Sequence, residues 1–357
     1  MQKLLLYWFK ENKRDLPWRT NPDWYKTFLS EIILQQTTVV QGWPYFQKFL
    51  KKYPNINSLA LANEHDVLHL WAGLGYYARA RNMLKAAKII SQKYNGKFPQ
   101  DYKTALSLPG IGPYSASAIL SISFNLPFSV MDGNVIRVIS RIFAIKDDTR
   151  DPATLKFIKE KADSLLDKSE PGNFNEAMME LGATICLPSK PKCSGCPIHK
   201  NCSAYKRNLV DRIPYKSKPA KKKKKYNIVG VVMNKSKICI VRRPGTGFLA
   251  GLWEFPLIEV KTDDFSKINI TDHFKKMYGL NVFREIESPK MRQTYSHIDL
   301  KFIAVTLRTG SKTILKNSYV ESKWVKFEEL ENFAIHNGHK KIIEWLKLSK
   351  LITKSEG

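Results

Sequence analysis

The chain has 357 residues, 43% of them hydrophobic, and its 59 lysines and arginines against 32 acidic residues give a formal charge of +27. That length accommodates two or three domains, no apolar run reaches the roughly 18 residues that span a bilayer, and the apolar stretch near Met1 is too short for a signal peptide. Five cysteines in so long a chain exclude a secreted disulfide scaffold, and the surplus of positive charge favours a polyanion such as nucleic acid as partner.

Residues 1–205 read as mainly helical. Segments with helical period run over 24–40, 67–71, 79–94, 116–122, 135–143, 153–166 and 174–184. Turn signals such as Asn21-Pro22-Asp23, Pro109-Gly110 and Glu170-Pro171-Gly172 separate them. Between two of these helices lies Leu108-Pro109-Gly110-Ile111-Gly112-Pro113-Tyr114. Gly110 and Gly112 bracket one apolar residue, so the turn exposes backbone N–H groups at the positive end of the next helix. Such donors suit a phosphate, although an isolated Gly-x-Gly turn is ordinarily a plain loop. Pro113 fits the first turn of the helix that follows.

Two carboxylates occupy contrasting settings. Glu31 sits in the apolar helix Phe28-Leu29-Ser30-Glu31-Ile32-Ile33-Leu34. Loss of solvation there raises a carboxyl pKa and keeps its proton near neutrality. Asp132, in Val130-Met131-Asp132-Gly133-Asn134, stands at the predicted start of a helix. The helix dipole and backbone N–H donors favour its ionised form. Taken singly, each has an ordinary reading, as a surface glutamate and an N-cap. Taken together, a proton donor and an anion with separated pKa values match the needs of an oxocarbenium-like transition state in glycosidic hydrolysis.

Cys186, Cys193, Cys196 and Cys202 follow the spacing C-x6-C-x2-C-x5-C over 186–202. Four thiolates so close in sequence can enclose one structural metal centre. Zinc sites usually show two short pairs and only one is present, so the spacing leans toward an iron–sulfur cluster and leaves zinc open. Residues 206–225 then hold ten basic residues and one acidic residue, Asp211. Like charges keep such a segment extended, which marks a linker able to lie along a phosphate backbone. From 226 to 357 the pattern becomes α+β. Strands are predicted over 226–233, 237–242, 252–256 and 300–307, with helices near 271–278 and 338–348.

In combination these motifs resemble the helix–hairpin–helix DNA glycosylase superfamily and, within it, the MutY family of adenine glycosylases. The resemblance rests on Leu16-Pro17-Trp18-Arg19, on Ser30 to Thr37, on Trp71 to Asn82, on the hairpin, on Met131 to Arg137 and on the cysteine loop. It implies an all-α glycosylase domain over 1–205 with a 4Fe–4S cluster on Cys186, Cys193, Cys196 and Cys202. A basic linker over 206–225 and a Nudix-like α+β domain over 226–357 follow. It also implies a bacterial, cytoplasmic, nucleoid-associated monomer acting on duplex DNA that holds an A:8-oxoguanine or A:G mismatch, with no membrane partner. By resemblance, Glu31 protonates the adenine and Asp132 stabilises the sugar cation, while Tyr114 and Asn134 support them. Arg19, Gly110 and Gly112 contact DNA, and Gln36, Leu74 and Tyr76 form the wedge where the base is flipped out.

Position 114 separates the readings within the superfamily. A bifunctional endonuclease III-like lyase for oxidised pyrimidines carries a lysine amine there, and this chain has Tyr114. The segment Thr271 to Leu280, where a working Nudix hydrolase clusters glutamates around Mg²⁺, has none. Glu31 and Asp132 argue against a non-catalytic iron–sulfur DNA-binding protein. Tyr295-Ser296-His297 resembles the Phe-Ser-His loop that reads oxoguanine, with tyrosine in place of phenylalanine.

Overall fold

The computed structural model describes residues 1–19, 23–218, 221–311, 313–314 and 318–349. The expected turn at Asn21-Pro22 and Pro219 of the linker lie outside them. The chain divides into two compact units, residues 1–62 with 82–219, and residues 63–81 with 220–357.

The helices are α1 (Gln2–Asn12), α2 (Trp24–Leu34), α3 (Val39–Lys52), α4 (Ile56–Ala60), α5 (Glu64–Leu70), α6 (Ala78–Lys93), α7 (Tyr102–Ser107), α8 (Pro113–Phe124), α9 (Gly133–Ile142), α10 (Pro152–Leu165), α11 (Pro171–Thr184), α12 (Ser203–Lys206), α13 (Ile270–Tyr278) and α14 (Asn337–Leu348). Side-chain caps set several starts: Asp23 accepts from the Lys26 N–H, Thr38 from Gln41, Asp132 from Val135 and Asp151 from Thr154. The single helix expected over 24–40 is therefore two. α2 stops at Leu34, Gln36 takes a left-handed φ of 56°, and Thr38 caps α3. The break turns Gln35, Gln36 and Thr37 toward a cavity in the first unit.

In that unit α11 packs against α1, α8 and α9. Leu5, Phe9, Val130, Val138, Ile139, Phe174, Met178 and Leu181 are buried together in its core. Gly182 lets α11 approach α9 closely, since a Cβ there would lie 2.5 Å from the Asn134 Cβ.

The second unit holds one sheet built from β1 (Lys223–Asn234), β2 (Lys237–Arg242), β3 (Trp253–Glu254), β4 (Leu257–Val260), β5 (Phe283–Glu287), β6 (Met291–Thr294), β7 (Ile298–Arg308) and β8 (Glu321–Lys326). The main order is β3-β2-β1-β7-β5, with β1 and β7 parallel and the remaining pairs antiparallel. Alternate residues of β1 enter two cores. Ile228 and Val232 join Phe274 and Tyr278 of α13, whereas Val229 and Val231 join Ile342 and Leu346 of α14. Helices on both faces explain why β1 reads as a continuous apolar run and not as an alternation. β1 starts at Lys223, so strand structure begins inside the lysine run. The expected strand over 252–256 is strand only at Trp253–Glu254. Strands β4, β5, β6 and β8 carry too little apolar alternation to be predicted.

Candidate active site and associated centres

A cavity of about 930 Å³ opens in the first unit, lined by the broken end of α2, the start of α8, the start of α9 and one face of α11. Glu31, Gln36, Gly112, Tyr114, Asp132 and Asn134 all line it, so the two carboxylates singled out by sequence share one site.

Burial pushes the Glu31 carboxyl up to about 7. A hydrogen bond from the Tyr114 hydroxyl opposes that rise, and the charges of Asp132 and Glu176 add to it. Tyr114 also approaches the Met179 sulfur at 3.7 Å. Asp132 is richly supplied with donors. Its Oδ1 accepts from the Val135 N–H at 2.7 Å and its Oδ2 from the Asn134 amide at 2.8 Å. Even so, burial raises its pKa above the usual carboxylate value, and Val135, Asn134 and Arg137 pull it back only in part. This corrects the expectation that the cap alone would depress it. A helix N-terminus recessed in a cavity loses more solvation than its donors return.

Arg137 connects Asp132 to the cysteine loop. Its Nη2 donates to the Asn134 side-chain Oδ1 at 2.9 Å and to Gly182 O at 2.8 Å, and its Nε donates to Cys186 O at 2.7 Å. Arg141, buried to 2% exposure, donates to the Cys186 sulfur at 3.2 Å, to Leu187 O at 2.7 Å and to Ile213 O at 2.8 Å. The Cys202 thiol donates to Arg141 O at 3.4 Å. The four cysteines lie close enough for each to disfavour ionisation of the others, as sulfurs that share one structural metal centre must.

Two features of the site escaped the sequence reading, and Arg19 has partners that the sequence did not show. Glu176 and Glu180 line the cavity from α11, and their spacing of four along a helix with Gly172 and Ala183 was a legible sign that one face served a site. Arg19 does not present a free cation to phosphate. It donates to Glu176 at 2.7 Å and to Glu180 at 3.1 Å and lies over the Phe9 ring. Arg14 joins Glu180 at 2.5 Å; burial opposes, but the two guanidiniums hold that carboxyl below its usual value. The Arg137 link carried no local sequence signal, because its partners come from α9, α11 and the loop.

At the hairpin, Gly110 has φ +79°, and a Cβ there would meet Asn82 at 2.8 Å. Gly112 is the N-cap of α8 with open space beside it, so its backbone is accessible to a ligand.

In the second unit a cavity of about 680 Å³ is lined by Leu74, Tyr76, Tyr295, Ser296 and His297, which joins two groups predicted separately. Leu74 sits in a turn with Gly73, Gly75 and Tyr76 all at positive φ. Tyr76 is 48% exposed, with the Arg79 guanidinium 5.6 Å from its ring centre. Within the same unit Arg81 donates to Ala250 O and His65 meets the Phe333 ring edge-on.

A recessed acid and anion beside a helix–hairpin–helix turn define a base-excision glycosylase site. The family model of the HhH-GPD superfamily of base excision DNA repair proteins matches residues 29–163, and that of the NUDIX domain matches 228–345. An adenine DNA glycosylase of Buchnera aphidicola subsp. Schizaphis graminum is 33% identical over 97% of this chain and 98% of its own length. One of Rattus norvegicus is 31% identical over 95% of this chain and 76% of its own. A solved thermostable thymine-DNA glycosylase superposes with a TM-score of 0.52 at 28% identity, covering 58% of this chain and 95% of that one. The chain belongs to the adenine DNA glycosylase family, and it is a base-excision repair enzyme that acts on adenine in DNA. Among the described residues, no helix is long and apolar enough to cross a membrane.

Proposed function

We propose that the chain is a monofunctional glycosylase that removes adenine paired with 8-oxoguanine, and more slowly adenine paired with guanine, from duplex DNA. The observation that carries this reading is the unequal treatment of two carboxylates in one cavity. Glu31, raised to about 7 and held by Tyr114, keeps a proton for the departing base. Asp132, supplied by Val135 and Asn134, offers negative charge to the sugar cation. Water completes the hydrolysis. Position 114 offers a hydroxyl and no amine, so no Schiff base forms there and the strand stays intact.

Extrusion of the adenine is assigned to Gln36, Leu74 and Tyr76, and phosphate anchoring to the Gly110–Gly112 turn. Tyr295, Ser296 and His297 read the opposite base. Their support is that they line one cavity with Leu74 and Tyr76. Cys186, Cys193, Cys196 and Cys202 would hold a 4Fe–4S cluster, a reading that their single short pair and the family favour over zinc. Such a cluster would supply a rigid tie for the loop. The enzyme is taken to work as a monomer at the bacterial nucleoid.

The test is excision from end-labelled A:oxoguanine, A:G and thymine-glycol duplexes, each analysed with and without hot alkali. Alkali-dependent breaks at adenine, fastest opposite oxoguanine, are expected. Breaks that need no alkali, or a preference for thymine glycol, would overturn the reading.

A further inference from the structure

We propose that the Tyr295 hydroxyl, bonded through His336 to the buried carboxylate of Glu254, holds the Tyr295–Ser296–His297 turn in the shape that selects the base opposite the adenine. The inference rests on the oxoguanine reading above and makes His336 and Glu254 positioning residues for specificity.

Glu254 lies fully buried on β3 with both oxygens engaged. Oε1 accepts from Arg243 Nη1 at 2.9 Å and from the Tyr319 hydroxyl at 2.8 Å, while Oε2 faces His336 Nε2 at 3.1 Å. Burial works against its charge, yet the His336 hydrogen bond and the Arg243 guanidinium hold its pKa down to about 2. The carboxylate is a fixed anion, so His336 donates from Nε2 and its Nδ1 is left to face the Tyr295 hydroxyl, 3.3 Å away. A Cβ on Gly338 would lie 3.0 Å from the same oxygen, so the start of α14 is shaped around it.

Glu254, His336 and His339 together resemble a metal triad, with ligand atoms within 4.8 Å of one another. The hydrogen bonds argue otherwise. The Phe255 N–H donates to His339 Nδ1 at 3.0 Å, so the proton of that neutral ring sits on Nε2. Neither nitrogen offers a free lone pair, and Arg243 adds positive charge where a cation would sit. The cluster is a hydrogen-bonded prop that ends at Tyr295.

What it props is the turn between β6 and β7. The Tyr295 N–H donates to Ile298 O at 2.8 Å, and Lys222 Nζ donates to Tyr295 O at 2.8 Å. The edge of Phe248 meets Tyr295 at 4.9 Å and His297 at 5.5 Å, so the tilt of the tyrosine ring sets where His297 stands. Phenylalanine at 295 would keep the ring contacts and strand one buried polar atom, His336 Nδ1.

The test uses the full chain with its cluster. Single-turnover adenine excision is measured on A:oxoguanine and A:G duplexes for the wild type, Tyr295→Phe, His336→Leu and His336→Gln, alongside thermal melting. We expect Tyr295→Phe and His336→Leu to lower the ratio of the two rates roughly tenfold, the scale of one buried hydrogen bond. His336→Gln keeps a donor for Glu254 and an acceptor for Tyr295, and it should recover part of the ratio. A Tyr295→Phe ratio within about twofold of a strongly discriminating wild type overturns the proposal, as does an equal fall of both rates with an early melt. A wild type that does not distinguish the duplexes overturns the oxoguanine reading itself.

Discussion

At Glu31, the proposed general acid, one side chain joins a catalytic requirement to a folding cost. Its folded pKa of about 7 lies above the 4.5 of a free glutamate. Adenine excision, which needs the proton, should therefore fall about tenfold per pH unit once pH exceeds about 7, read from single-turnover rates across pH. The linkage has a definite sign. Between about 4.5 and about 7 the folded state holds a proton that the unfolded chain releases, so stability falls as pH rises through that window. Glu31→Gln carries no charge to bury. It should abolish excision while melting at a higher temperature than the wild type above pH 7. A mutant that keeps turnover, or that melts earlier there, would contradict the assignment. The acid was legible because apolar neighbours on an α-helix predict desolvation. The net rise at Asp132 was not, because how deeply an N-cap is recessed is unknown until other helices pack over it.

Among the elements, the site depends on how closely α11 can lie against α9. Gly182 faces Asn134, whose amide holds Asp132. Gly182→Ala should push the helices apart, cost about 1–3 kcal/mol of stability and slow excision by loosening Asp132. Calorimetry and single-turnover rates check both parts, and an unchanged melting temperature would refute the packing argument. Helix starts were largely legible, since Asp132, Asp151 and Pro113 are local signals. The break after Leu34 was hidden, because Thr38 caps a helix that apolar periodicity alone would have run together with α2. Short strands such as β4 and β6 were equally hidden, because they are set by pairing with β1 and β7 and not by their own composition.

Across the whole molecule, the charge of +27 predicts strongly salt-dependent DNA binding. If about six to ten phosphates are neutralised, affinity should drop on the order of a thousandfold or more between about 50 and about 200 mM salt. A titration of duplex binding against salt gives the slope, and a flat plot would remove phosphate neutralisation as the main source of affinity. The assignment of residues 63–81 to the unit that holds residues 220–357 has its own consequence. Deleting 226–357 removes the Ala250 carbonyl from Arg81, the Phe333 ring from His65 and one wall of the cavity beside Leu74 and Tyr76. Such a truncation tests that turn as well as the proposed recognition loop.

What the chain determined alone was whatever depends on neighbours in sequence: caps, hairpin glycines, the cysteine spacing, the acid in its apolar helix and the tyrosine at 114. What only the tertiary structure decided was whatever depends on distance between remote segments. Arg19 is drawn into carboxylates of α11, Arg137 joins Asp132 to Cys186, and Tyr295 finds His336 forty-one residues away. Desolvation and hydrogen-bond supply act over a few ångströms of space, and local sequence does not say which groups will share it.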